Sequence, residues 1–146
     1  MLSVKSNIHT HTVFSDGKHT AEENIISAIN SGMDTLGFSD HSFTDFDLSY
    51  CMKKAAAPDY KKEILSLKEK YADKIDIFCG IEYDYYSDLS VKDGYDYFIG
   101  ASHYVKSDGV YYAVDHCIET TKLGINEGFG GNELAYCENY YENVVN

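Results

Sequence analysis

Two histidines near the amino terminus have the spacing of paired metal ligands. His9 and His11 lie in residues 8–12 (IHTHT), just before the turn-like sequence FSDG at residues 14–17. If residues 8–12 form a β-strand, side chains two residues apart point to the same face, so the two imidazoles converge. Histidine is the commonest metal ligand, and the spacing therefore indicates a divalent metal site. The alternative is a pair of surface histidines on a polar strand.

Three later apolar segments, each predicted to be a β-strand, also lead to a residue that can bind a metal. Residues 35–39 lead to His41, residues 75–81 to Glu82 and residues 97–102 to His103. In α/β folds with parallel strands, functional groups gather where the strands end, because the loops there open on one face. We therefore predict one shared metal site, against the alternative of independent structural roles. Its predicted members are His9, His11, His41, Glu82 and His103.

Helical patterns alternate with these strands. Residues 20–23 have the sequence of a capping box that opens the first predicted helix, and Pro58 fits the first turn of a second. A hairpin is predicted at residues 105–112, and Asp115 and Asn132 are predicted to cap two C-terminal helices. This alternation predicts the α/β class, with about four parallel strands and C-terminal helices. The last helix has an apolar side formed by Leu134, Cys137, Tyr141 and Val144.

The composition is that of a single globular domain covering residues 1–146. The net charge is −12, and all 12 basic residues are lysines, so we expect no nucleic-acid partner. The sequence shows no secretion signal or membrane-spanning stretch, which predicts a cytoplasmic protein without a membrane partner. The cysteines lack Cys-x-x-Cys spacing and are interpreted as reduced packing residues. They are Cys51, Cys79, Cys117 and Cys137.

Taken together, four motifs resemble the PHP family of metal-dependent phosphoesterases, and within it the histidinol-phosphate phosphatases. They are HTHT with FSDGK at residues 9–18, GFSDHS at 37–42, GIE at 80–82 and IGASHYV at 99–105. The resemblance implies a distorted, seven-stranded (βα) barrel, of which this chain would form a part. It also implies a cofactor of two or three divalent metal ions, commonly zinc, iron or manganese, and a small phosphorylated substrate.

The resemblance further implies which residues bind the metals. His9 and His11 would bind one ion together with Glu82, which would bridge to a second ion that also takes His103. Asp16 and His41 would hold the third. Asp40 lies beside a ligand and receives no assignment, and the two remaining histidines fall outside the motifs. These are His19 and His116, for which a surface or helix-end role is expected.

The sequence departs from the family in length. Family members are longer, and their second half supplies another histidine, a late Asp-x-His pair and, in histidinol phosphatases, an arginine that binds phosphate. This chain has no arginine at all, so it offers no guanidinium for bidentate phosphate recognition. We therefore expect a truncated PHP-like domain over residues 1–146. Either a second copy or a partner chain would complete the barrel, since an open sheet edge invites pairing.

The expected activity is hydrolysis of a small phosphate monoester by a metal-bound hydroxide. Asp16, His41 or a metal-bound water would protonate the leaving alkoxide, and the sequence does not choose among them. The alternative is a catalytically incomplete remnant that binds metal and acts as a structural or interaction module. A nuclease or polymerase-associated role is disfavoured by the acidic charge.

Overall fold

The structure is a computed structural model that describes residues 5–88 and 93–145. The chain divides into two compact units. The first consists of Met1–Tyr83 and Ser87–Ile99, and the second of Asp84–Tyr86 and Gly100–Asn146. The single domain over residues 1–146 stays a prediction.

Parallel pairing of strands organises the sheet. Its strands are β1 (Ser6–Asn7), β2 (Thr35–Phe38), β3 (Asp76–Asp84) and β4 (Tyr97–Ala101), in the order β1-β2-β3-β4. β1 pairs in parallel with β2, and β2 pairs in parallel with β3 so that Thr35 lies opposite Asp76. The predicted class, α/β with about four parallel strands and C-terminal helices, is confirmed.

Two helices of the first unit begin where the sequence indicates. Helix α1 spans Ala21–Asn30 and is preceded by a complete capping box. The Thr20 hydroxyl accepts from the Glu23 amide at 3.3 Å, and the Glu23 carboxylate accepts from the Thr20 amide at 2.8 Å. Helix α2 spans Ala57–Lys70 with Pro58 in its first turn, after a short 3₁₀ turn at Lys54–Ala56. The capping box and the position of Pro58 are both confirmed.

The core of the first unit is formed by apolar side chains of the helices and of the strands. Ile25 of α1 and Ile64 of α2 are fully buried in the same cluster as Phe38 of β2 and Ile77 of β3. Burying such a side chain stabilises a fold by roughly 1.5–3 kcal/mol. The strand ends are thereby held on a rigid support.

Tyr97 of β4 crosses two neighbouring strands and requires glycine in both. A Cβ atom at Gly37 of β2 or at Gly80 of β3 would collide with the Tyr97 side chain. The Tyr97 hydroxyl lies 2.5 Å from the carbonyl oxygen of Ile8 and 3.0 Å from that of Phe38. Tyr97 therefore connects β4 to the end of β2 and to the segment directly before His9.

The second unit contains a hairpin and two helices. Strands β5 (Tyr104–Ser107) and β6 (Val110–Ala113) pair in antiparallel fashion, which confirms the predicted hairpin. Both turn residues between them, Asp108 and Gly109, have positive φ angles of 49° and 84°, as a tight two-residue turn requires. Helix α3 (Ile118–Leu123) continues into a π-helical segment (Gly124–Gly128), and helix α4 (Glu133–Val145) follows.

The predicted first strand over residues 8–12 is wrong. β1 ends at Asn7, and His9 and His11 lie in the extended segment that follows it. The physical reason is a local hydrogen bond of 3.0 Å, in which the His9 amide donates to the side chain of Asn7 instead of to a neighbouring strand.

Two details of the predicted C-terminal helices also differ from the structure. The N-cap of α3 is Cys117 and not Asp115, because the Cys117 amide donates to the Thr120 hydroxyl. Asn132 does cap α4, by accepting at 3.2 Å from the amide of Ala135. However, the apolar side of α4 is exposed, with Leu134 at 75% and Tyr141 at 63%.

Polar contacts orient α4. The buried residues of this helix include Asn143, whose amide group donates to the Tyr86 hydroxyl at 3.1 Å and to the Tyr104 carbonyl at 3.1 Å. A buried amide group must keep such hydrogen-bond partners. The side of α4 that carries Asn143 is therefore buried, and the apolar side is exposed.

All four cysteines are free thiols. Cys51 and Cys79 are buried, as packing residues should be. Cys117 and Cys137 are exposed, so their interpretation as packing residues is wrong. Cys117 lies at the N-cap of α3, and Cys137 lies on the exposed side of α4. Within residues 5–88 and 93–145, no helix combines the length and apolar character needed to cross a membrane.

Candidate metal centre

Three histidines surround one buried carboxylate in the first unit. Glu82 is 5% exposed, and its Oε2 atom lies 3.0 Å from Nε2 of both His9 and His11. The same oxygen lies 3.2 Å from Nδ1 of His41. Four of the residues that the sequence predicts as ligands therefore meet at one oxygen atom.

Main-chain hydrogen bonds place His41 beside Glu82. The chain after β2 continues next to β3, so that His41 and Glu82 form a parallel β-bridge. The Glu82 amide donates to the Asp40 carbonyl at 3.0 Å, and the Ser42 amide donates to the Glu82 carbonyl at 2.8 Å. The two side chains are thus positioned by backbone pairing at the carboxyl ends of two neighbouring strands.

Asp16 joins the cluster from the turn that follows His11. Its carboxylate lies 2.8 Å from Nδ1 of His11 and 3.8 Å from Nε2 of His41. The turn can fold this tightly because residue 17 is glycine: a Cβ atom at Gly17 would lie 2.5 Å from the backbone of His11 and of Thr12. Asp16 is the most solvent-accessible carboxylate of the cluster, with 46% of its side chain exposed.

The ligand atoms have the spacing of metal sites. Among the described residues of the first unit, two sets of three ligand atoms lie within 4.8 Å of one another. One set is His9, His11 and Glu82, and the other is His11, Asp16 and His41. Imidazole nitrogens together with carboxylate oxygens are a donor set that zinc, iron and manganese accept.

The Nε2 atom of His11 tests whether a cation fits this cluster. The atom is buried and makes no hydrogen bond within the described residues, although Glu82 Oε2 is 3.0 Å away. A buried polar atom of this kind is rare in folded proteins, and a bound cation would satisfy it. The residues present therefore fit a divalent metal.

The two neighbouring carboxylates change the acidity of His11. Burial alone would lower the pKa of His11, but its contacts with Glu82 and Asp16, and the negative charge of both, raise it overall. The ring of His41 packs against His11, with 4.3 Å between the ring centroids. Tyr50 in turn packs edge-on against His41, with 4.8 Å between the ring centroids. A divalent cation would take over the favourable charge interaction that a proton on His11 has with the two carboxylates.

The sixth predicted ligand, His103, lies in the second unit. The Asp84 carboxylate, which is 2% exposed, accepts from the His103 amide at 3.0 Å and lies 3.1 Å from His103 Nδ1. A carboxylate beside one ring nitrogen is the arrangement in which carboxylates orient metal-binding histidines. On its other side, His103 Nε2 lies 3.9 Å from Asp115. The role of His103 as a ligand stays a prediction.

The sequence indicates no role for Asp40. In the structure its side chain is completely buried and accepts hydrogen bonds from Thr12 and Ser15, in the turn before Asp16. The only feature of the sequence that points to a buried carboxylate here is the position of Asp40 directly after the apolar segment at residues 35–39. His19 and His116 are both exposed, in agreement with the expected surface positions.

Comparison with known proteins gives a matching family and a similar named protein. The PHP domain family matches residues 7–145. A protein of Deinococcus radiodurans that is named as a histidinol-phosphatase is 29% identical over 112 residues, which cover 69% of this chain and 43% of that protein. The chain thus spans less than half the length of this curated relative.

Two solved structures share the fold. One is from Listeria monocytogenes and is assigned as a histidinol phosphatase; it is 24% identical, has a TM-score of 0.73, and is matched over 92% of this chain and 59% of its own. The other is histidinol phosphate phosphatase of Lactococcus lactis in complex with zinc, L-histidinol and phosphate. It is 22% identical, with a TM-score of 0.58, and is matched over 85% of this chain and 51% of its own. Both confirm the expected fold, a part of a PHP-type barrel.

Proposed function

The chain belongs to the PHP domain family, and we propose that it is a metal-dependent phosphoesterase that hydrolyses a small phosphate monoester. One observation carries this proposal: His9, His11 and His41 converge on the Glu82 carboxylate, with Asp16 beside them. A surface role for each of these side chains would give no reason for such convergence.

We assign the metal-binding roles residue by residue. His9, His11 and Glu82 would hold one ion, Asp16 and His41 would hold another, and His103 would bind a further ion. The ions would be zinc, iron or manganese, which this donor set accepts alike. Bound divalent cations lower the pKa of water to about 7 and neutralise the phosphoryl oxygens of the substrate.

Asp16, His41 or a metal-bound water would protonate the leaving alkoxide. Asp16 and His41 are the candidate general acids, because both lie at the ligand cluster and both carry a proton in one of their states. Asp16 is half-exposed, whereas only 9% of the His41 side chain is accessible. The more accessible Asp16 is therefore better placed to reach an incoming substrate.

We propose histidinol phosphate as the substrate. The Lactococcus lactis structure contains L-histidinol and phosphate, and the Deinococcus radiodurans relative carries the name of the same activity. The sequence contains no arginine, so these 146 residues offer no guanidinium contact to the phosphate.

The edges of the sheet are the candidate sites of association. β1 and β4 are its outer strands, and unpaired strand edges favour pairing with another chain. We propose that a second copy of this chain or a partner polypeptide covers them, and that the protein acts in the cytoplasm.

The test is hydrolysis of histidinol phosphate and of p-nitrophenyl phosphate by purified protein loaded in turn with zinc, iron or manganese. We expect metal-dependent turnover that His9→Ala and Glu82→Ala abolish. His19→Ala is the matched control, because His19 is exposed and lies outside the cluster. Unchanged turnover in His9→Ala or Glu82→Ala would refute the assignment. Bound metal without turnover in the unaltered protein would favour the alternative, a metal-binding module without catalysis.

A further inference from the structure

Asp40 is a carboxylate with no exposed surface, located between the end of β2 and His41. Its Oδ1 atom accepts hydrogen bonds from the amides of Thr12 at 2.8 Å and Ser15 at 3.1 Å, and from the Ser15 hydroxyl at 2.6 Å. The Thr12 hydroxyl lies 3.0 Å from Oδ2 and 3.1 Å from Oδ1. A buried charge is tolerated when it is hydrogen-bonded in this way.

The groups that donate to Asp40 all belong to one short turn. Thr12 directly follows His11, and Ser15 directly precedes Asp16. The carboxylate therefore holds both ends of the four-residue segment that separates these two metal-ligand candidates. It does so across 28 residues of sequence to Thr12 and 25 to Ser15, so the turn is fixed to the end of β2.

Asp40 does not have the geometry of a ligand. Both of its oxygens are engaged by the turn, and it is absent from both ligand sets of the first unit. Its contacts instead determine where His11 and Asp16 point. His11 Nδ1 lies 2.8 Å from Asp16, a distance that depends on the shape of the turn.

We propose that Asp40 is a positioning residue for the metal centre: it holds the turn at residues 12–15 so that His11 and Asp16 face the same cation. This inference rests on the proposed function, because it assumes that the cluster binds metal. It assigns the buried carboxylate a role in metal affinity in addition to its contribution to packing.

The test measures the affinity for cobalt(II), a spectroscopic substitute for zinc, by titration of its visible absorption in purified metal-free protein. We expect Asp40→Asn to weaken binding by about 10- to 100-fold, as loss of a residue that orients ligands typically does. The substitution replaces one carboxylate oxygen with an NH2 donor and removes the negative charge, which weakens the hydrogen bonds from the turn. Amide hydrogen exchange at Thr12 and Ser15 should therefore become faster at the same time.

Ser15→Ala keeps the inference testable if Asp40→Asn does not fold. It removes only the 2.6 Å hydrogen bond to Asp40, and we expect a smaller but measurable loss of cobalt affinity. Ser49→Ala is the matched control, because the Ser49 hydroxyl also donates to an aspartate, Asp47, at 2.6 Å but lies outside the turn. This control should bind cobalt as the unaltered protein does.

The outcomes separate this inference from the proposed function. If the unaltered protein binds cobalt and Asp40→Asn or Ser15→Ala binds it equally well, Asp40 has only a packing role and the inference is wrong. If the unaltered protein binds no cobalt, zinc or manganese, the proposed function fails, and the positioning role fails with it.

Discussion

Backbone pairing holds the main chains of His41 and Glu82 next to each other. The Glu82 amide donates to the Asp40 carbonyl, and the Ser42 amide donates to the Glu82 carbonyl, so main-chain atoms alone form both of these hydrogen bonds. The sheet would therefore preorganise the proposed metal centre, which reduces the ordering that metal binding requires.

This relationship predicts that His41→Ala weakens metal binding without separating the strand ends. We expect the affinity for zinc to fall by at least about 10-fold, while the Ser42 and Glu82 amides of the metal-free protein keep their protection from hydrogen exchange. Calorimetric titration would measure the zinc affinity, and hydrogen exchange followed by NMR would measure the protection of the two amides. Loss of protection at Ser42 would mean that the imidazole, and not the backbone, maintains the pairing.

The raised pKa of His11 predicts how pH acts on the metal-free protein. Because the folded pKa lies above the unfolded value of about 6.5, protonated His11 contributes stability that is complete below that value. The contribution is lost as pH rises through the folded pKa. We expect the difference in free energy of unfolding between the unaltered protein and His11→Gln to shrink as pH rises through this range. A difference that is independent of pH would contradict the raised pKa.

The same proton competes with metal. A metal binds neutral imidazole, so His11 must lose its proton before it can act as a ligand. Zinc affinity should therefore rise with pH until the folded pKa of His11 is passed. Above that pKa His11 is already neutral, so its deprotonation should increase the affinity no further. Titration at several pH values checks this expectation. An affinity that falls over the same range, at constant free zinc, would exclude His11 as a ligand.

The position of the Tyr97 ring predicts that an alanine substitution destabilises the fold at Gly80 but not at Gly100. Gly80→Ala places a methyl group against the Tyr97 ring and should destabilise the fold by about 1–3 kcal/mol. Gly100→Ala is the control within β4, since a Cβ atom there meets no other atom within 4 Å, and it should leave the stability nearly unchanged. Urea denaturation measures both. Equal midpoints for the two variants would show that Tyr97 does not occupy this position.

The cysteines predict a pattern of chemical labelling. Burial, reinforced by the nearby charge of Asp96, raises the pKa of Cys79 to about 12, so its reactive thiolate form is scarce at neutral pH. Cys117 and Cys137 are exposed. We expect iodoacetamide to modify these two first in the folded protein and Cys79 only after denaturation, as read by peptide mass spectrometry. Rapid labelling of Cys79 in the folded protein would contradict its burial.

The parallel strands and the position of the ligand cluster were predictable from the sequence because both follow from a general rule. Apolar strands that end in metal-binding residues place those residues at one rim when the strands are parallel. The convergence of His9, His11, His41 and Glu82 agrees with this expectation in geometry, and the position of Asp16 agrees with what the family resemblance implies. The metal-binding role of these residues stays a prediction. The metal-binding role of His103, whose Nδ1 atom contacts Asp84, also stays a prediction.

Features that depend on contacts distant in sequence were not predictable. The early end of β1 depends on whether Asn7 or a neighbouring strand satisfies the His9 amide. The orientation of α4 depends on the partners of one buried amide, Asn143, which apolar periodicity does not register. The role of Asp40 depends on a turn 25 to 28 residues earlier, and nothing in the local sequence connects the two.

Crystals grown with zinc and measured at its absorption edge test the central claim most directly. The account predicts anomalous peaks about 2.0–2.2 Å from the ring nitrogens of His9 and His11 and the carboxylate of Glu82, with a further peak at Asp16 and His41. If zinc-saturated crystals give no anomalous peak within coordination distance of these five residues, the metal centre does not exist and the proposed chemistry falls with it.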